Sequence, residues 1–480
     1  MPVSIYFCLF FVCFGLRQAA NRNAQLSPLW YNGSTMENLQ AITPDLLTGF
    51  AKAFRADNRN SIRQNAVVAV GLEAAAANRK SAVANPMVFS LDLGTVPVTN
   101  QKSSGRCWLF AALNAMRRAA MPKLNLEEFE LSENYLLFWD KLEKANKFLE
   151  NIIATASEPL DGRLVSQFLS RPVSDGGQWY MAVALAEKYG CVPKDVMPET
   201  FHSSDTKAMN SVLGRKLREY AAELRKAVAA GADDIQARKN RMLGEIYAFL
   251  AICLGEPPSV FDFEYRDKDK EFHRDAGITP KGFYDKYVGV ALREYVSVLN
   301  APMEERPYGR TYTIAYAGNI IGAAGPLYLN LPLDELKRMA IAQLQDGRPV
   351  WFGCDVAFMM SRENGVMAPD VFDIEGMTGM GFDMDKGDRF RHRLFLMTHA
   401  MLIVGVNLVD GKPTRWKVEN SWGDERGKKG YFVMTDEWFD EYAYEVVVDR
   451  RFLTPEQAEA YKQAPIVLDR WDPFSYLAEN

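Results

Sequence analysis

Apolar residues recur at helical spacing through Leu39, Leu46, Leu47, Phe50 and Phe54, and residues 36 to 90 read as two helices followed by an Ala-rich stretch, Ala74 to Ala77. Phe89-Ser-Leu-Asp-Leu-Gly94 then alternates in the manner of a short strand. From Cys107 to Ala120, the residues Leu109, Phe110, Leu113 and Met116 form one apolar helical face. Ser103 or Ser104 is placed to cap that helix, and Gly105 frees the backbone just before it. Helical patterns also cover Ser132 to Asn146, Trp179 to Tyr189 and a long charged region from Asp205 to Cys253. The run Glu264 to Glu271 has the densest charge and reads as exposed. After Leu331 the character changes to strand-like runs at 349–353, 400–406, 416–419, 431–434 and 444–448. Helices first and strands later predict an α+β architecture with a cleft between its halves.

The 480 residues suffice for two or three cooperating domains around a large core. Net charge is −5 with both signs interspersed, which excludes the basic footprint of a nucleic-acid-binding surface. Of the six cysteines, Cys107, Cys191, Cys253 and Cys354 are scattered and form no CxxC pair, a pattern of reduced thiols and not of a disulfide framework or zinc site. Cys191, Cys253 and Cys354 read as small buried hydrophobes. Val3 to Leu16 has the length of a signal-peptide core but lacks a basic segment before it. Two readings of residues 1–35 stand: a secretion signal, or a dispensable leader upstream of a start at Met36. No other stretch is apolar and long enough to span a bilayer.

Only four histidines occur, and one of them stands in a suggestive order with a cysteine and an asparagine. Cys107 ends Gln101-Lys-Ser-Ser-Gly-Arg-Cys107, His399 lies in Met397-Thr-His-Ala400, and Asn420 opens Asn420-Ser-Trp-Gly423. A thiol at a helix N-terminus is biased toward thiolate, and an imidazolium partner biases it further. His399 precedes an apolar strand, so its ring is placed at a sheet edge; His202 and His273 read as lying in polar loops, and His392 stands between two arginines that oppose its protonation. The Asn420 amide oxygen is suited to fix the His399 tautomer, with Trp422 shielding that bond from water. Gln101 offers a side-chain N–H to join the Cys107 backbone amide in an oxyanion hole. In Asp175-Gly-Gly-Gln-Trp179, Gly176 and Gly177 permit close backbone approach to an extended peptide, although two glycines by themselves read as a tight turn.

These motifs resemble those of the bleomycin hydrolase and aminopeptidase C family of papain-like cysteine peptidases. The resemblance runs from about residue 36 to the C-terminus and rests on Thr99 to Trp108, Asp161 to Leu164, Asp175 to Trp179, Glu264 to Lys270, Trp351 to Asp355, Met397 to Ala400, Glu419 to Gly423 and Thr435 to Trp438. Ordinary papain relatives carry a cysteine where Ser104 stands, and place the histidine about 130 to 150 residues after the nucleophile. Here 292 positions separate Cys107 from His399. The resemblance implies a two-domain papain-like fold with a helical insertion at 205–330 and a C-terminal arm at 466–480. The parts at 36–204 and 331–465 then carry the cysteine and the histidine with asparagine, respectively.

The family further implies a cytoplasmic homohexamer with no cofactor or metal, whose arm lies in its own cleft and admits only peptides with a free N-terminus. Ala478, Glu479 and Asn480 would then meet the substrate. The family tail carries Gly-Ala where Ser475-Tyr476 stands here, and it ends at or near the alanine or glutamate, so Asn480 is an added residue. The expected activity is a cysteine aminopeptidase with Cys107, His399, Asn420 and Gln101 catalytic, and with bleomycin hydrolase-like breadth. Two alternatives stand beside it: endopeptidase or acyltransferase chemistry at the same residues, and a hexamer binding nucleic acid or another partner.

Overall fold

A computed structural model describes residues 39–394 and 397–474. The leader expected at 1–35 and the terminal residues Ala478, Glu479 and Asn480 lie outside the described residues. The chain divides into two compact units, Met1–Ala66 and Val67–Asn480.

The first unit holds the Pro44–Ala56 helix and most of the Arg59–Val70 helix. Thr43 caps the former by accepting from the Leu46 amide at 3.3 Å, and Pro44 occupies the first turn, where a missing N–H leaves nothing unpaired. Leu46, Leu47, Phe50 and Phe54 make the apolar spacing seen in the sequence, yet no residue of either helix is buried. Residues 36–90 hold more than the two expected helices, because short ones follow at Leu72–Ala76 and Arg79–Ala84.

The second unit is built on a mixed sheet. In chain order its strands are β1 (Leu91–Asp92), β4 (Tyr295–Leu299), β5 (Arg310–Ile314), β6 (Tyr328–Asn330), β7 (Val350–Cys354), β8 (Met360–Ser361), β9 (Val366–Met367), β10 (His399–Val409), β11 (Lys412–Glu419), β12 (Tyr431–Thr435), β13 (Ala443–Asp449) and β14 (Ile466–Leu468). Their spatial order is β14-β5-β6-β4-β13-β7-β10-β11-β12-β9-β8, with β1 added against β10. A separate hairpin pairs β2 (Phe261–Arg266) with β3 (Phe272–Ile278). Period-two alternation sorts the central strands into two cores. Trp351, Ala400, Leu402, Val404 and Val447 join one core with the Cys107–Leu124, Glu133–Ala154 and Trp179–Tyr189 helices. Val350, Phe352, Met401, Ile403, Val446 and Val448 join the other with the Leu333–Gln345 helix.

The α+β class holds, but the insertion expected to be helical at 205–330 is helical in its first part and carries strands before Leu331. Helices fill Lys207–Ala229 and Ile235–Leu254; the latter ends at Gly255, whose φ of 86° favours glycine. Five strands, β2 to β6, follow before residue 331. In β2 the aromatic residues Phe261, Phe263 and Tyr265 alternate with charged ones, so the charge run read as exposed begins as a strand whose charged side chains are exposed while its aromatic face packs on the core. In β4 and β5, Val and Thr supply β-branched side chains that suit a pleated surface. His273 is accordingly on β3, 3.1 Å from Asp267 Oδ2, and His202 is in the short Phe201–Ser204 helix, not in loops. Cys107, Cys191, Cys253 and Cys354 are all free; Cys191 and Cys354 are buried, whereas Cys253 is half-buried. No helix of the described residues is long and apolar enough to cross a membrane.

Candidate active site

Cys107 is the first residue of the Cys107–Leu124 helix, which packs across β10. The N-cap is Arg106, and it makes no side-chain cap bond. Neither Ser103 nor Ser104 therefore caps this helix as the sequence suggested. Ser104 Oγ instead donates to the Gln101 carbonyl at 2.6 Å and accepts from Arg106 Nε at 2.9 Å. Arg106 is fully buried and pairs both its terminal nitrogens with Glu199, at 2.9 and 2.7 Å. A bidentate charged pair of this kind fixes orientation as well as position, so the 101–106 loop is tied from behind.

The Cys107 side chain is half-buried, and its thiol meets the backbone N–H of Ala400. Burial pushes the thiol up to about 11, against the pull of the Ala400, Trp108 and Cys107 amides. Ala400 directly follows His399, the first residue of β10, whose register partner is Cys354 of β7. The His399 ring is buried, with Nε2 at 2.8 Å from Asn420 Oδ1. An amide oxygen only accepts, so Nε2 carries the proton and Nδ1 is left as the basic nitrogen. Burial lowers His399 to about 4; the Asn420 bond raises it in part, and the Arg362 charge lowers it further. Sulfur and imidazole are thus each held neutral when taken alone, in opposition to the bias from the helix N-terminus.

Asn420 follows the end of β11, and its Oδ1 also accepts from the Ser421 amide at 2.7 Å. The Trp422 ring stands 4.8 Å from the His399 ring, tilted by 32°, so an aromatic wall covers the histidine. Gln101 is buried and joins the two sides of the site. Its Nε2 donates to the Ser104 carbonyl at 2.7 Å, and its Oε1 accepts from Ser421 Oγ at 2.7 Å. The amide carries two hydrogens, and the Ser104 bond uses one. Cys107, Gln101, His399, Asn420 and Trp422 are therefore gathered in one place.

Gly176 and Gly177 belong to the same neighbourhood through a residue the motif reading passed over. Asp175 Oδ2 accepts from the Gly105 amide at 3.1 Å and from the Thr206 hydroxyl, and Oδ1 accepts from Lys141 Nζ at 2.5 Å and Asn210 Nδ2 at 2.7 Å. Its backbone carbonyl accepts from Trp108 Nε1 at 2.8 Å. Burial opposes ionisation, but the Lys141 charge and the bonds from Lys141, Thr206 and Asn210 outweigh it and hold the carboxyl well below the usual range. An aspartate before two glycines reads as a turn, and these donors come from distant positions, so no local signal exposes its role.

Gly177 lies flat against the Trp108 indole, where a Cβ would come within 2.5 Å of Trp108 Cε2. The Gly176 carbonyl accepts from Lys144 Nζ at 2.7 Å. Gly177→Ala is expected to cost about 1–3 kcal/mol of stability by displacing the Trp108 ring. A urea-unfolding midpoint equal to that of the parent would contradict this. Among the described residues, no group of three or more His, Cys, Asp or Glu is placed to hold a metal ion.

A cysteine at a helix N-terminus facing a strand that begins with a buried histidine is the arrangement of a papain-like cysteine peptidase. The Peptidase C1-like family is matched over residues 41–475, and the chain belongs to it. The chain is similar to Aminopeptidase C of Streptococcus thermophilus, 47% identical over 445 residues, which covers 92% of this chain and 100% of that protein. It is also similar to Aminopeptidase C of Listeria monocytogenes, 46% identical over 437 residues, with 91% and 99% covered. The crystal structure of PepW from Lactobacillus rhamnosis HN001 superimposes with a TM-score of 0.88 at 47% identity, covering 90% of this chain and 98% of that one.

Proposed function

We propose that this cysteine aminopeptidase works through Cys107, His399 and Asn420, with Gln101 as an oxyanion donor and its own C-terminus limiting cleavage to peptides with a free N-terminus. The observation that carries this reading is the 2.8 Å bond from His399 Nε2 to Asn420 Oδ1 on the strand whose Ala400 amide meets the Cys107 thiol. Transfer of the thiol proton to His399 Nδ1 creates two adjacent opposite charges, and each stabilises the other where burial opposes either alone. The thiolate attacks the carbonyl carbon of the first residue of the peptide. Negative charge builds on the carbonyl oxygen and is met by the Cys107 amide and the second N–H of Gln101.

His399 then returns the proton to the departing amine, and the C–N bond breaks to leave a thioester. Water attacks the thioester as His399 accepts its proton; the proton is returned to sulfur, and the free amino acid leaves. In this reading Gly176 and Gly177 line the peptide, Trp422 keeps water from the His399–Asn420 bond, and residues to Asn480 supply the carboxylate that meets the substrate ammonium. Activity on bleomycin-like amides, a homohexameric assembly and a cytoplasmic location, supported by the family resemblance and the scattered thiols, complete it.

One peptide offered with a free and with an acetylated N-terminus tests the proposal, using mass spectrometry of the products over time. The full chain is expected to remove residues one at a time from the free form only. A chain ending at Ser475 is expected to cleave internally in both forms. Strict N-terminal trimming by the shortened chain would remove the tail from the account. The alternative of a binding protein has no observation in its favour, given the acidic balance of the chain.

A further inference from the structure

We propose that Glu419 is a positioning residue for the reaction, held by Arg117 and Arg118 of the nucleophile's own helix so that Asn420 stays in register with Cys107. The inference rests on the Cys107–His399–Asn420 reading above. Glu419 is the last residue of β11 and the covalent neighbour of Asn420, and its carboxylate is fully buried. Oε1 accepts from Arg117 Nη2 at 2.7 Å. Oε2 accepts from Arg118 Nε at 3.0 Å and Nη2 at 2.6 Å.

Neighbouring residues on an α-helix point about 100° apart around its axis. Two consecutive arginines that grip one carboxylate therefore fix the rotation of the helix as well as its distance from β11. The terminal nitrogens are held elsewhere as well: Arg117 donates to the Pro97 carbonyl at 2.8 Å and the Phe129 carbonyl at 3.3 Å, and Arg118 to the Leu93 carbonyl at 3.3 Å. The nucleophile starts this helix, and the group that orients the histidine follows the carboxylate. A rotation or slide of one element against the other would change the path from sulfur to Nδ1, and a misplacement near 1 Å costs on the order of a hundredfold in rate. One buried carboxylate facing two guanidiniums also leaves uncompensated cations if it is lost.

Glu419→Gln keeps the shape and drops the charge. It is expected to lower kcat tenfold or more on an unblocked peptide while KM changes less than twofold. The rate of Cys107 alkylation by iodoacetamide as a function of pH supplies a reading that stability alone would not move. E419Q is expected to displace this profile in the same direction as Asn420→Ala, and the double variant to match N420A. Parent-like kcat and alkylation in E419Q, or additive effects in the double variant, would overturn the proposal while leaving the triad intact. An N420A profile equal to the parent would overturn both. Should E419Q fail to fold, Arg118→Gln, which keeps the Arg117–Glu419 pair, is expected to show the same displacement in milder form, and a parent-like profile there would sink the idea.

Discussion

Cys107→Ala is expected to reduce kcat/KM on an unblocked peptide by a factor on the order of 10⁴ to 10⁶, to the level of the uncatalysed background. The sulfur is the one atom of the protein that bonds to the substrate carbon in the proposed mechanism, so no neighbour can take its place. The fold should survive the change. Cys107 is half-buried, and the helix it opens is held by buried Trp108, Leu109, Phe110, Leu113 and Met116. Alanine is also the best helix former, so the first turn loses nothing in propensity. His399→Ala is expected to lose a comparable factor, and the double variant scarcely more, because groups that act as a unit do not add. Activity assays beside circular dichroism check this: a folded Cys107→Ala protein with more than about 1% of parental turnover would be incompatible with a covalent mechanism at this position.

Glu445→Gln is expected to stabilise the protein increasingly as pH rises from 4.5 toward 8. Glu445 lies on β13, register partner of Leu299 on β4 and of Gly353 on β7, and it is fully buried. The Ser297 side chain lies close, but neither carboxyl oxygen has a hydrogen bond of full geometry among the described residues. Burial pushes its pKa up to about 8, and Ser297 is the one group that opposes the shift. The folded value stands above the unfolded one, near 4.5. The neutral carboxyl therefore contributes stability that is fully present below pH 4.5 and is lost as pH climbs through 8. At about 1.4 kcal/mol per unit, the swing amounts to a few kcal/mol. Glutamine never ionises and escapes it. Urea midpoints at pH 5, 7 and 8.5 give the test, and parallel curves for parent and variant would show that Glu445 is not held neutral.

The candidate site was legible in the sequence to the extent that its residues are rare types in local motifs. Cys107, His399 and Asn420 stand out because thiol, imidazole and amide occur in this order within local motifs, and the strands that carry His399 and lead to Asn420 show as short apolar runs after residue 349. What holds those residues in place was not readable. The Asp175 carboxylate collects donors from Gly105, Lys141, Thr206 and Asn210, and the Glu419 carboxylate collects them from Arg117 and Arg118. In a sequence such residues are ordinary charges, and only the fold brings their partners together. Ser104 failed as a predicted cap for a related reason: its hydroxyl is spent on the Gln101 carbonyl, a loop contact that no helix rule anticipates. The strands between 261 and 330 were missed because charged residues alternate with aromatic ones in β2, and charge density drew attention away from the two-residue period.

The donors gathered on Asp175 also bear on modularity. Thr206 and Asn210 belong to the start of the Lys207–Ala229 helix, the stretch by which this chain exceeds the usual papain spacing. That helix buries Met209, Leu213, Leu217, Tyr220 and Leu224, and Leu254 at the end of the next one accepts from the Asn134 amide at 2.8 Å. Excision of residues 207–254 would strip one donor from Asp175, uncover an apolar face and loosen the loop that carries Gly105. The added segment is thus woven into the loop that precedes Cys107, and its removal is expected to disturb the candidate site along with the fold.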